Sequence, residues 1–396
     1  MLLDRTLSHA SNDHRVIPFN FLPLLLAILW MATASGLAAE ANLGLSTGPH
    51  GELMLNQKAF RGIGVNYYDA FVRLLGDGKI QDVEAGFRLL ASNQIPFVRF
   101  SAGGYWPVDW GLYQTNHQEY FARLDKVVKL AERSDLGLIP SLFWYQPTIS
   151  DLVGEPLDQW GNSNSRTHAY MRTYVAEVIT RYRNSPAIWA WEFGNEFNLM
   201  ADLPNASTHR PAVHPTLGTA AARSNRDELT HAHLRTALTE FAREVRRHDS
   251  QRLIISGNAF SRPSAWHQRL ERKWQVDSPE QWTEMLAAEN PSFITSLSGR
   301  LYSTNDLAAL LPAMALSRQC GKPLFIGEFG VAGDMSDATQ RQFRAWLEAL
   351  DTNGVTLAAL WVFDFAGQAK DWSVTAENSR REQLRLIGEM NARWRR

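Results

Sequence analysis

Two carboxylates close two separate apolar runs of this chain. In residues 189–198, Trp-Ala-Trp-Glu-Phe-Gly-Asn-Glu-Phe-Asn, a β-like stretch ends with the amide of Asn195 and the carboxylate of Glu196 side by side. In residues 323–330, Pro-Leu-Phe-Ile-Gly-Glu-Phe-Gly, a second run ends around Glu328. Strands buried on both faces read as nearly continuous apolar runs, so a polar group at the carboxyl end of one needs a reason beyond packing. Two carboxyl groups facing one mouth are what hydrolysis of a glycosidic bond requires: one protonates the leaving oxygen, the other attacks or activates water. A glutamate at a strand end can also simply cap a loop or pair with an arginine, so the two motifs count for more together than apart.

The elements that must position these groups alternate along the chain. A hairpin turns at Asn56 and Gln57 and is followed by a strand ending at Asn66. Helical periodicity then covers 83–90, 120–131 and 166–183, with strands over 97–101 and 136–143 before the run that leads to Glu196. The second half continues with helices over 229–245, 279–288, 306–318 and 337–350 and strands over 253–257, 293–302, 324–329 and 356–363, closing with a helix from about 381. Eight strand–helix units predict an α/β fold: a (β/α)8 TIM barrel with an N-terminal β-hairpin and loop insertions at the C-terminal face, where such barrels carry their active sites. Residues 200–225, rich in Pro, Ala, Thr and His, read as a long insertion just after the Glu196 strand, and long loops in compact domains are usually functional.

Of the 396 residues, 45% are apolar, enough for one barrel in one domain, and the net charge of -1 lacks the basic footprint of a nucleic-acid binder. At the amino terminus Arg5, His14 and Arg15 precede an apolar run over 19–34 and then small residues through Ala41. This reads as an export signal over 1–39, followed by a single catalytic domain over 40–396 that is secreted or periplasmic; an uncleaved anchor is the other reading. Cys320, the only cysteine, cannot form an internal disulfide. A monomer without a lasting membrane partner is expected.

With Asn-Glu after a Trp-Glu strand and a later Gly-Glu-Phe-Gly, the sequence resembles glycoside hydrolase family 5, the cellulase and mannanase family of retaining barrels. The likeness runs from Gly-Val-Asn at 64–66 to Leu360-Trp361. It implies Glu196 as acid/base and Glu328 as nucleophile, with β-1,4-glucan or β-mannan as the favoured substrate and no cofactor or metal. It further implies that Arg99 keeps Glu328 charged, that Tyr302 orients it, that Asn195 bonds a sugar hydroxyl, and that Trp361 lies under the sugar ring. Two places depart from the family, which often has histidines where Phe143 and Arg300 stand; Arg300 is therefore a substrate-binding candidate that alters the sugar site.

Trp144, Trp106, Trp110 and Trp266 are candidate sugar platforms, although tryptophan is often half buried for packing alone. Glu192 shares strand parity with Glu196 but lies deeper and reads as a structural partner inside the barrel. His231 and His233, two apart on a helix, face different ways and make a poor metal pair. The competing classes are a carbohydrate-binding pseudoenzyme, which releases no reducing ends, and a transglycosylase, whose products outgrow its substrate.

Overall fold

The computed structural model describes residues 43–395; the segment read as an export signal lies outside them. Strands β1 (Leu45–Thr47), β2 (Leu53–Leu55) and β3 (Lys58–Ala59) form a small antiparallel sheet. The β2–β3 hairpin turns at Asn56 and Gln57, whose φ values of 49° and 66° give the left-handed turn that matches the twist of its strands.

Eight strands follow: β4 (Gly62–Asn66), β5 (Phe97–Ser101), β6 (Gly137–Phe143), β7 (Ala190–Gly194), β8 (Leu253–Ile255), β9 (Leu297–Leu301), β10 (Leu324–Phe329) and β11 (Leu357–Leu360). They pair in parallel in the order β8-β7-β6-β5-β4-β11-β10-β9, the sequential ring of a (β/α)8 barrel. Between β8 and β9 side chains take part in place of a regular ladder: Thr295 N–H donates to the Ile254 carbonyl at 2.9 Å, Ile254 N–H donates to Thr295 Oγ1 at 2.8 Å, and Ser256 Oγ bonds Ser298 Oγ at 3.1 Å.

Several expected elements coincide with those observed, among them β5 and β10; others are trimmed for visible reasons. The strand expected over 253–257 stops at Ile255, because Gly257 turns to φ +75° and gives its carbonyl to other groups. The helix expected from 229 begins at His231, where Thr230 caps it by accepting the His233 N–H. The three-residue β1 escaped the sequence reading.

Inside the barrel, Phe97, Ile139, Trp189, Ile255 and Phe325 pack with Leu45 and Leu53 of the hairpin sheet. That sheet is tied to the barrel by the Leu45 N–H bond to the Trp189 carbonyl at 2.7 Å. A larger apolar layer, including Phe87, Val127, Tyr174, Phe241 and Phe343, joins the strands to the surrounding helices. With both of these layers filled, the polar side chains gather at the carboxyl ends of the strands.

Candidate active site

Strand register sets each charged residue beside a polar or charged neighbour. On neighbouring strands Asn66 lies opposite Arg99, Ser141 opposite Glu192, and Arg300 opposite Glu328. The β10 register shifts between Ile326 and Glu328. At Gly327 a Cβ would run into Arg300 Nη1, so a side chain there would push that guanidinium out of its present place. Glu196 stands beyond the end of β7 at φ +54°, and its N–H donates to the Gly257 carbonyl at 3.0 Å.

Arg99, fully buried on β5, is the hub. Its Nε meets Glu192 at 2.8 Å and 3.0 Å, its Nη1 donates to both Asn66 Oδ1 and Glu328 Oε1 at 2.9 Å, and its Nη2 donates to Asn195 Oδ1 at 2.9 Å. Burial lowers the guanidinium pKa, but Glu192 and Glu328 outweigh it and hold that pKa above the ordinary value. The Tyr302 hydroxyl donates to Glu328 Oε2 at 2.7 Å, and burial, then the Glu328 charge, pushes the phenol pKa well up. Both oxygens of Glu328 thus accept hydrogen bonds, the presentation that suits a nucleophile.

Asn195 Oδ1 accepts from Arg99 and, at 2.8 Å, from Arg300 Nη2. Two guanidinium donors fix the amide orientation, which leaves Nδ2 as the group Asn195 can offer a ligand. Glu196 keeps 30% of its side chain exposed to the mouth. Burial and the nearby Glu328 charge raise its pKa, opposed by Arg300, Arg99 and Arg262. One carboxyl is therefore biased toward carrying a proton while the other is held by a cation and a phenol, the division of labour that acid and nucleophile need.

Around these groups lies a cavity of about 1220 Å³. Asn195, Glu196, Glu328, Tyr302, Trp144 and Trp361 all line it, together with Tyr68, Phe365 and Trp372. Trp144 and Trp361 lie nearly parallel at 6.1 Å, and Arg99 sits over the Trp144 ring at 4.5 Å. Trp361 Nε1 donates to Gln368 Oε1 at 2.7 Å. Residues of the insertion, including Met200, Leu203, His209 and Arg210, form one wall. The insertion is pinned by Arg223, which binds both oxygens of Asp151 at 2.7 Å and 2.8 Å, and by the Arg210–Glu228 pair.

Some expected site residues lie elsewhere. Trp110 is fully buried against Tyr113, Tyr174 and Phe143 and offers no platform to a ligand. Trp106, packed on Tyr145 and His214, and Trp266, bonded to Glu284, are not among the cavity-lining residues. Phe143 was matched to a sugar-facing place but packs behind the barrel with Trp110, Trp160 and Phe193; its neighbour Trp144 takes the mouth. Arg99 and Arg300 are 0% and 3% exposed, so they act on the carboxylates and Asn195 rather than through an open face. Glu192 is the buried partner of Arg99.

Sequence reasoning left out Asn66 and Trp372. The first sits in the Gly-Val-Asn run and carries one arm of Arg99; the second falls in a loop after β11, where nothing but its residue type marks it. His231 binds Asp202 and Glu289 by its two ring nitrogens, so neither is free for a metal.

A family model described as Cellulase (glycosyl hydrolase family 5) matches residues 75–367. Over 80 residues the chain is 35% identical to mannan endo-1,4-beta-mannosidase A of Podospora anserina, which covers 19% of this chain and 21% of that protein. The chain thus spans about a fifth of the length of the curated relatives it matches. The endo-1,4-beta-mannanase of Rhizomucor miehei superposes with a TM-score of 0.65 at 16% identity, covering 88% of this chain and 99% of that one. A family 5 mannosidase from the same organism gives 0.64 at 11% identity, covering 89% and 98%. At such identities the likeness speaks for the fold alone.

Proposed function

The chain belongs to glycosyl hydrolase family 5, and on that premise we propose that it is a retaining glycoside hydrolase acting on β-1,4-linked mannan, with β-1,4-glucan second. The observation that carries the reading is the pairing of Glu196 and Glu328 around one nitrogen: Arg300 Nε lies 3.6 Å from Glu196 Oε1 and 3.4 Å from Glu328 Oε1. Double displacement calls for carboxyls about 5–5.5 Å apart, against roughly 6.5–9.5 Å for inversion. Two groups within reach of one guanidinium nitrogen favour the first.

In the first step a Glu328 oxygen bonds to the anomeric carbon as the glycosidic bond breaks, and Glu196 gives its proton to the leaving oxygen. In the second, Glu196 takes a proton from water, the water oxygen bonds to the same carbon, and the ester to Glu328 breaks. Asn195 Nδ2 is suited to the sugar 2-hydroxyl, and the Trp361 face to the apolar side of the ring.

Mannan is favoured because the curated relatives named above carry that substrate in their names. The cavity exceeds the roughly 300–1,000 Å³ of ordinary small-molecule sites, so it has room for several sugars and favours cutting within a chain. We also propose export of a catalytic domain over 40–396, on the strength of the apolar run at 19–34. Viscosity and reducing ends measured together on galactomannan and derivatised cellulose test substrate and mode. A fall in viscosity ahead of reducing ends on galactomannan is expected; single sugars released from oligosaccharides with flat viscosity on both polymers would overturn the internal mode.

A further inference from the structure

Arg300 stands where the family often has a histidine, and the difference is chemical rather than steric. An imidazole is largely neutral at working pH, whereas a guanidinium is always charged. The residue is buried, and all but one of its nitrogens are committed. Nη2 donates to Asn195 Oδ1 at 2.8 Å and to the Gly257 carbonyl at 2.7 Å, while Nη1 donates to the carbonyls of Asn258 at 3.3 Å and Gly299 at 3.1 Å. Nε alone has no hydrogen-bond partner, and it faces both carboxylates.

We propose that Arg300 is a positioning residue that serves as a shared counter-ion: it holds Asn195 with one arm and, through Nε, balances whichever of Glu196 and Glu328 carries the negative charge. This rests on the acid/base reading of Glu196. In the first step the charge of Glu328 is consumed in the ester while Glu196 becomes a carboxylate by losing its proton. The negative charge therefore moves from one neighbour of Nε to the other, and a cation already facing both needs no rearrangement, which is the economy of a preorganised site. The cost is that the same cation opposes protonation of Glu196 in the free enzyme, so the alkaline limb of activity is set lower than a neutral residue would set it. The other charged groups that bear on Glu196 are Glu328, which favours its protonated form, and Arg99 and Arg262, which oppose it; Tyr302, held neutral by burial and by the Glu328 and Glu196 charges, adds no charge of its own.

The test is the pH dependence of kcat/KM for phenyl and dinitrophenyl β-mannobiosides with the full chain, its Arg300→Gln and Arg300→Lys variants, and Arg300→His as a second replacement that is neutral in the alkaline range. An opposite charge this close moves a carboxyl by about 1–3 pH units. The phenyl substrate should therefore show an alkaline limb raised by about one unit or more in the Gln and His variants and little moved in the Lys variant. A limb unmoved in both neutral variants, with melting temperatures near wild type, overturns the proposal: Arg300 then only holds Asn195. The dinitrophenyl substrate needs no proton on its leaving group, so its alkaline limb should weaken in the wild type. Identical limbs for the two substrates in the wild type would overturn the assignment of Glu196 as acid, and the Arg300 proposal with it.

Discussion

Arg99 Nη2 lies 2.7 Å from Glu192 Oε1, with neither side chain exposed, and the same guanidinium reaches Glu328 Oε1 at 2.9 Å through Nη1. One cation thus carries a structural carboxylate below and a catalytic candidate above. Removing it leaves Glu192 buried without its cation and takes from Glu328 the nearer of two guanidinium partners, a change that costs about 3–5 kcal/mol. Arg99→Met should accordingly lose about that much stability in a denaturant titration, and activity with it. A loss below about 1 kcal/mol would mean that the hub is dispensable.

Tyr302→Phe removes one hydrogen bond to Glu328 and little volume. Bonds to charged groups are worth about 1.5–3 kcal/mol, so kcat should fall about ten- to a hundredfold with KM little changed. A change confined to KM would place the hydroxyl on the substrate instead of on Glu328.

The site's immediate surroundings depend on a charged histidine. Burial would depress the pKa of His231, but its bonds to Asp202 at 2.7 Å and Glu289 at 3.0 Å push it up to about 9 from an ordinary 6.5. Because the folded value is the higher one, the stabilisation is complete below about pH 6.5 and is lost as the pH rises through about 9. Glu289 also accepts from Asn198, two residues beyond Glu196, so the loss reaches the loop that carries Glu196. The melting-temperature gap between wild type and His231→Gln should therefore shrink over that pH window. A gap that stays constant or widens would contradict the charged state.

Exported protein should begin near Glu40 or Asn42, which follow Ala39 and Ala41 of the small-residue segment. Amino-terminal sequencing of secreted material checks this, and recovery of Met1 would favour an uncleaved anchor.

Much of this architecture was legible because β5 and β10 are short, mainly apolar strands that each carry a single charged residue, Arg99 in the first and Glu328 near the end of the second. The hairpin was equally plain, since Asn tolerates the left-handed turn its strands demand. What escaped depends on local bends and on tertiary burial. Counting alternate residues along β6 cannot show that the chain turns at its end, sending Phe143 outward and Trp144 into the mouth. Trp110 is of the residue type of a platform, but it is buried in part by Phe143 and Tyr174, which come from segments far away in sequence. The position of Arg300 marked a departure from the family; that its arms close on three backbone carbonyls and leave Nε facing two carboxylates could be read only in three dimensions.

In the proposed reaction Glu328 attacks and Glu196 supplies the proton. The most direct measurement is trapping: the Glu196→Ala variant incubated with a dinitrophenyl β-mannobioside, which needs no proton to leave, and quenched for peptide mass analysis. One glycosyl group is expected on the peptide that carries Glu328, and no label in Glu328→Ala. A label on any other residue, or a wild-type first product of inverted anomeric configuration, would contradict it.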